Sequence, residues 1–337
     1  MMASIDLQSR QKGAILGMFI GDALAMPVHW YYDRQALERD YGKVTGYLAP
    51  KNPHPDSILW RSVYKPLNKY ADILHDQRQY WGRPGIHYHQ FLKAGENTLN
   101  LKLCQLLISV LSEKGEYDAD AYLERYIEFM TTPGSHQDTY VEEYHRHFFG
   151  NYAQGKHPRA CGVLEKHISG IIGMIPLIVY YADDPQLGRK LALEHLRLTH
   201  LGKRMETAGN LLLDILQPVL DGKSFLDVIT QKFQQQDNPL LGYPLSRWLK
   251  DADDIVIGGR LSTACYVEDA VPATMYLALK YHQDVERGLI ANTNLGGDNA
   301  GRGAVLGALL GAANGHRAFP ESWIGGLTHP PTNLIPK

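Results

Sequence analysis

The sequence predicts an all-α protein in which 337 residues fold as one helical bundle. Three observations carry that expectation. Apolar residues recur at steps of three and four through most of the chain, the mark of a helix with one buried face. Alternation with a period of two, bounded by turn residues, is nearly absent. Near the end, Gly303, Gly307 and Gly311 are spaced by four with Ala304, Ala308 and Ala312 beside them, so each set lines one stripe of a helix.

In chain order, the opening MMASIDLQSRQKGAILGMFIGDALAMP carries an acid at Asp6 and passes straight into helical periodicity, unlike a secretory leader. Residues 42–94, rich in Pro, Tyr and His, predict an irregular insertion into the single domain. In TLNLKLCQLLISVLSEKG, Leu99, Leu103, Leu106 and Val110 keep helical steps, and Gly115 follows as a stop. The segments 119–130, 187–198, 205–220 and 269–283 repeat that pattern between Gly, Pro or Asp residues. The longest strongly apolar run, GIIGMIPLIVYYA at 170–182, falls short of the roughly 20 residues a membrane span needs and contains Pro176, so it predicts a buried core helix. Polar QKFQQQD at 231–237 predicts an exposed loop or helix end. In the last helix each interior glycine costs roughly 0.5–1 kcal/mol relative to alanine, which implies that another backbone packs very close there.

Charge and cysteine content narrow the function classes. With 34 basic and 36 acidic residues the formal net charge is -2, which gives no general steering field for nucleic acid or an anionic membrane. The three cysteines, Cys104, Cys161 and Cys265, lie far apart in apolar or helical contexts, so free thiols in a reducing compartment are expected, and with them a cytoplasmic location.

Three acids stand where Gly-rich turns meet helices: Asp22 in GDALAMP, Glu96 in AGENTLN and Asp298 in GGDNAGRG. Each has an ordinary reading, capping of a helix start. Each also has a functional one: helix starts from distant parts of the chain converge, offering oxygen ligands for a hard cation and N–H groups for a phosphate.

The ordered motifs resemble those of the ADP-ribosylglycohydrolase superfamily. Its opening helix reads like GxxxGDALGxP, close to Gly17–Pro27. MIPLIVYYA and Thr199-His200 echo its middle, Tyr266–Leu277 resembles its YVxDxVPAAxYA helix, and residues 296–315 resemble its GGDTDTxAAxxGALxGAxxG ending. The resemblance implies an all-α, usually monomeric globule whose central cleft holds two Mg2+ ions that position ADP-ribose, with water attacking the anomeric carbon.

Departures thin the implied metal site. Against the family's TDDT, this chain has Gly95, Glu96, Asn97 and Thr98. Against GGDTDT it keeps Gly296, Gly297 and Asp298 but has Asn299, Ala300 and Gly301. His29 stands where some members carry an acid. Glu96 and Asp298 would bring charge of about -2 to a pair of divalent ions, so one weakly held Mg2+ is expected rather than two, or none. GENT together with NTNLGGDNAGRG is similar to a branch that includes jellyfish J-type crystallins and related selenoproteins, whose members look altered away from the standard metal site.

Other chemistry is sparse. The 15 histidines include His87 and His89 in GIHYHQF and His145, His147 and His157, but no Cys or acid lies at zinc-like spacing. His87 or His89 is viewed as lining the cleft mouth, beside the ordinary reading of a core or surface histidine. GGDNAGRG lacks the Lys-Ser/Thr of a phosphate loop, and no G-x-S-x-G is present. Arg302, one turn past Asp298, either replaces a lost cation near ribose or phosphate or pairs with Asp298 or Glu96. The aromatic group from Trp30 to Tyr88 is expected to pack the insertion against the bundle.

Two functions follow from the resemblance. The first is a hydrolase cleaving an N- or O-glycosidic bond of an ADP-ribosyl or related nucleoside-sugar compound. In it Glu96, Asp298 and His29 are catalytic, and Asn97, Thr98, Gly296, Gly297, Asn299, Arg302 and His87 bind substrate. The second is a scaffold that has lost the reaction and serves as an ADP-ribose-binding or crystallin-like protein. The expected partner is a small-molecule or ADP-ribosylated substrate, met by a monomer without nucleic acid or membrane.

Overall fold

The computed structural model of the chain describes residues 5–235 and 238–331. It is all-α, as expected. The helices are α1 (Leu7–Ala25), α2 (Arg34–Tyr41), α3 (Leu99–Lys114), α4 (Ala119–Thr131), α5 (Glu143–Ala153), α6 (Ser169–Ile172), α7 (Ile175–Tyr180), α8 (Pro185–Thr199) and α9 (Lys203–Leu220), followed by α10 (Phe225–Gln235), α11 (Leu245–Trp248), α12 (Asp253–Val256), α13 (Val267–Lys280), α14 (Val285–Asn294), α15 (Asn299–Asn314) and α16 (Glu321–Gly326). Two short parallel strands, β1 (Val163–Leu164) and β2 (His200–Leu201), pair Val163 with His200. Between α2 and α3 the chain forms only 3₁₀ turns at Leu59–Arg61 and His75–Tyr80, so the Pro-, Tyr- and His-rich stretch is irregular as its composition implies. No helix among the described residues is long and apolar enough to cross a membrane.

Helix boundaries follow local chemistry. Asp6, Asp118, Asp184 and Asp284 each accept a backbone N–H at the start of α1, α4, α8 and α14. Gly115 ends α3 in the left-handed conformation, at φ 71°. One boundary differs from expectation: the apolar run 170–182 is two helices, α6 and α7, broken at Gly173. Pro176 has no N–H to return to residue 172, so the ladder lapses and restarts with proline in the first turn. The polar segment 231–237 is the end of α10 through Gln235, and residues 236–237 lie outside those described.

The centre of the molecule is the antiparallel pair α1 and α15, and α15 is buried from Asn299 to Ala312. The backbone that the glycine stripe called for is α1 itself. Gly13 faces Gly311, Gly17 faces Gly307 and Gly21 faces Gly303, and a Cβ on any of the six would run into the opposing carbonyl. Gly307→Ala is therefore expected to destabilise by about 3 kcal/mol, since overpacking against rigid backbone outweighs the helix-propensity gain of about 1 kcal/mol. Urea unfolding measures it, and a midpoint at or above that of the parent protein would contradict the close packing.

Candidate active site

Close packing of α1 on α15 brings the end of one helix beside the start of the other. After α1 the chain makes a 3₁₀ turn at Met26–Val28, and His29 and Trp30 follow at the mouth of α15. Trp30 holds φ 63°, fixed by its N–H donating to Gly297 O at 2.7 Å, while Gly297 N–H donates to Tyr31 O at 2.6 Å. Gly296 and Gly297, at φ 65° and 64°, are needed there because a Cβ on either would strike the carbonyl of Tyr31 or Thr263.

Asp298 is both a cap and something more. Its side chain accepts the Gly301 N–H at 3.3 Å as the N-cap of α15, and Oδ1 also lies 2.8 Å from His29 Nε2. His29 Nδ1 is 2.8 Å from His89 Nε2, His89 Nδ1 is 2.8 Å from Asp138 Oδ1, and Lys102 Nζ is 3.3 Å from Asp138 Oδ2. The two imidazoles are nearly coplanar, at 4°, and Trp30 stacks on His29 with ring centres 3.8 Å apart. The three contacts among Asp298, His29, His89 and Asp138 need three ring protons, whereas two neutral imidazoles carry two. A third ring proton would have to be shared between His29 and His89, against the burial that holds His89 below its ordinary value. Burial alone would raise both carboxyls, yet Asp138 is held below the usual range by Lys102 and His89, and Asp298 by His29 and Arg302.

Glu142, just before α5, supplies a carboxyl of opposite character. Burial raises its pKa and the charge of Asp298 raises it further, while His167 and the hydrogen bonds from Asn100 Nδ2 at 2.6 Å and Ser169 Oγ at 2.7 Å offset part of that rise. Glu142 lines a small cavity with His29, Trp30, His89, Asp138 and Tyr140. The cavity measures about 10 Å³, room for about one water.

The sequence-predicted residues divide sharply. His29 and Asp298 meet as expected. Glu96 does not join them: its Oε2 accepts the Lys93 N–H, and it lines a separate cavity on another face of α3. Asn97 and Thr98 serve Asp22, which accepts from Asn97 Nδ2 at 2.8 Å, Thr98 N–H at 2.9 Å and the Thr98 hydroxyl at 2.6 Å. Burial raises Asp22 to about 6 in spite of those bonds. Asn299 turns inward and donates to Thr293 O at 2.8 Å.

Arg302, fully buried, donates to Thr263 O at 3.0 Å, Gly296 O at 2.6 Å and Asn292 Oδ1 at 3.3 Å, and it makes no direct salt bridge to Asp298 or Glu96, although its charge acts on Asp298. Burial lowers it to about 10. His87 is likewise no mouth residue. It is fully buried and neutral, donating from Nε2 to Pro27 O at 3.0 Å and accepting the His89 N–H at Nδ1. Cys104 and Cys161 are buried free thiols, and Cys265 is only partly covered.

Among the described residues no three His, Cys, Asp or Glu side chains are grouped to hold a metal, and Glu96 and Asp298 share neither a cavity nor a hydrogen-bond partner. Asp298 instead faces an imidazole, and Ala300 has no ligand atom.

Sequence reasoning missed Asp138 and Glu142. Both precede α5 within QDTYVEEYHRH, where an acid before a helix looks like an ordinary cap.

The family model described as ADP-ribosylglycohydrolase matches residues 3–335. A relative described as an uncharacterized protein, from Archaeoglobus fulgidus, is 24% identical over 326 residues, covering 95% of this chain and 92% of its own. A solved structure titled "ADP-ribosylglycohydrolase-related protein complex" is similar with a TM-score of 0.64 at 22% identity, over 96% of this chain and 93% of that one.

Proposed function

Because the chain belongs to the ADP-ribosylglycohydrolase family, we propose that it is a hydrolase cleaving an N- or O-glycosidic bond of an ADP-ribosyl or related nucleoside-sugar substrate. The observation that carries this reading is the buried Glu142 carboxyl, held by Asn100 and Ser169 against the small cavity that His29 also lines, with His29 in turn hydrogen-bonded to Asp298; burial raises Glu142 while His29 and Arg302 hold Asp298 low. Glycoside hydrolysis needs that division: one carboxyl still protonated to hand a proton to the leaving oxygen or nitrogen, and one ionised to stabilise charge at the anomeric carbon and draw in water. Glu142 takes the first role and Asp298 the second. His29, His89 and Asp138 hold Asp298 in place through their chain of contacts. Asn100 and Ser169 orient Glu142.

One observation favours the rival reading, an ADP-ribose-binding or crystallin-like protein. The cavity beside Glu142 takes about one water, so a sugar enters only if its lining moves.

The deciding experiment incubates the protein with ADP-ribosylated peptide and with small ADP-ribosyl compounds, with Mg2+ and with chelator, and follows release of ADP-ribose. Release that persists in chelator and disappears in Glu142→Gln is expected. Calorimetric binding of ADP-ribose with no release under any condition would replace the hydrolase by the binding protein.

A further inference from the structure

Beside α3, on the side facing residues 129–137, lies a cavity of about 520 Å³ that the reaction proposed above does not use. We propose that it binds a small aromatic acid bearing a hydroxyl, and that its occupant acts on Asp298 through Lys102. The walls suit such a ligand. Leu106 and Phe129, backed by the buried Phe19 and Leu101, offer apolar surface to a flat ring, and Lys93 and Lys102 offer positive charge to a carboxylate. The acid lining the cavity, Glu96, has its carboxylate turned back onto the Lys93 N–H.

Two acceptors lack donors there. His136, only 7% exposed, donates from Nε2 to Ile73 O at 2.8 Å, and its buried Nδ1 has no partner. Gln105 Oε1 is buried without a partner as well. They are two of eleven buried side-chain polar atoms without a partner among the described residues, and both residues line this cavity, where a ligand hydroxyl satisfies one of them.

Lys102 belongs to both sites. It lines the cavity, and its ammonium lies 3.3 Å from Asp138 Oδ2, the far end of the relay to Asp298. Asp138 is fully buried and has only Lys102 and His89 as ion-pair partners among the described residues. An anion that draws Lys102 toward itself leaves Asp138 to His89 alone, and the stronger acceptor at Asp138 polarises the chain of contacts from His89 through His29 to Asp298. Occupancy is thereby transmitted to Asp298 with no change in the helices.

The link to Asp298 rests on the proposed function, but binding is read without turnover, so the two can fail separately. The full chain, labelled with ¹⁵N-histidine, is titrated with 4-hydroxybenzoate, benzoate and inorganic phosphate and followed by NMR. Saturable binding of 4-hydroxybenzoate is expected, tighter than that of benzoate, with phosphate weakest and the His89 ring signals shifting on the same curve. Lys102→Met is expected to weaken binding about tenfold or more. Ser109→Trp fills the cavity without touching Asp138, and its loss of binding guards against a folding defect in the first variant. Binding that fails to saturate, or that is unchanged in both variants, overturns the site. Phosphate binding as tight as 4-hydroxybenzoate overturns the ligand class, and saturation with His89 signals unmoved overturns the connection to Asp298.

Discussion

Asp298→Asn is expected to lower release of ADP-ribose about a thousandfold, the scale at which removal of one preorganised charged group from a reaction centre is felt. The substitution is informative because asparagine keeps an oxygen for the Gly301 N–H and for His29 Nε2, so the cap of α15 survives and the charge alone is lost. Thermal unfolding within a few degrees of the parent would confirm that separation. His89→Gln and Asp138→Asn act through His29 and do not touch the reacting atoms, so a smaller loss of about 10–100-fold is expected from each. Single-turnover rates of the three variants order the relay. Unchanged turnover in Asp298→Asn would remove the carboxylate from the mechanism.

Mild acid is expected to unfold the protein. Burial lowers His54 to about 4 and His195 and His200 to about 3, and it drives His87 and His145 well below their ordinary value. Below about pH 6.5 the unfolded chain binds protons at these rings and the native chain does not, so stability is lost as pH falls. Between pH 7 and 5 each ring contributes a loss of about 2 kcal/mol, hence about 6 kcal/mol for the three whose values are set. Asp22 works the other way. Raised to about 6, it takes up a proton in the native state over the same range and returns about 1 kcal/mol, and Glu142 acts in the same direction. The net loss is comparable to the whole stability of many domains, about 5–15 kcal/mol. Urea midpoints at pH 7 and pH 5 test it. Equal midpoints would mean that these rings are solvated or paired as cations in the native state.

These histidines also show where reading the chain stops. Their number is plain in the sequence, but their neutrality comes from burial among residues far away in the chain, as when His54 donates to the carbonyl of His29 and His195 meets Tyr117. The same limit applies to the acids. Asp298 reads as a helix cap or as chemistry, and the structure makes it a cap that also faces His29. Glu96 reads as its partner, yet the 93–96 turn is satisfied by folding that carboxylate onto its own backbone. The partner that Asp298 does have in the charge balance, Glu142, is more than 150 residues away.

What the sequence alone determined is what depends on near neighbours: helices from apolar spacing, their ends from Asp, Gly and Pro, and a tight backbone contact from glycines every fourth residue. That the contact joins α1 to α15, through Gly13, Gly17 and Gly21, was decided by the tertiary structure. The tertiary structure alone decided which polar groups face one another. A hydrogen bond is made or lost within an ångström, and the positions of His29, His89, Asp138 and Asp298 are set by how α1, α15 and the irregular 42–94 segment pack, not by any interval along the chain.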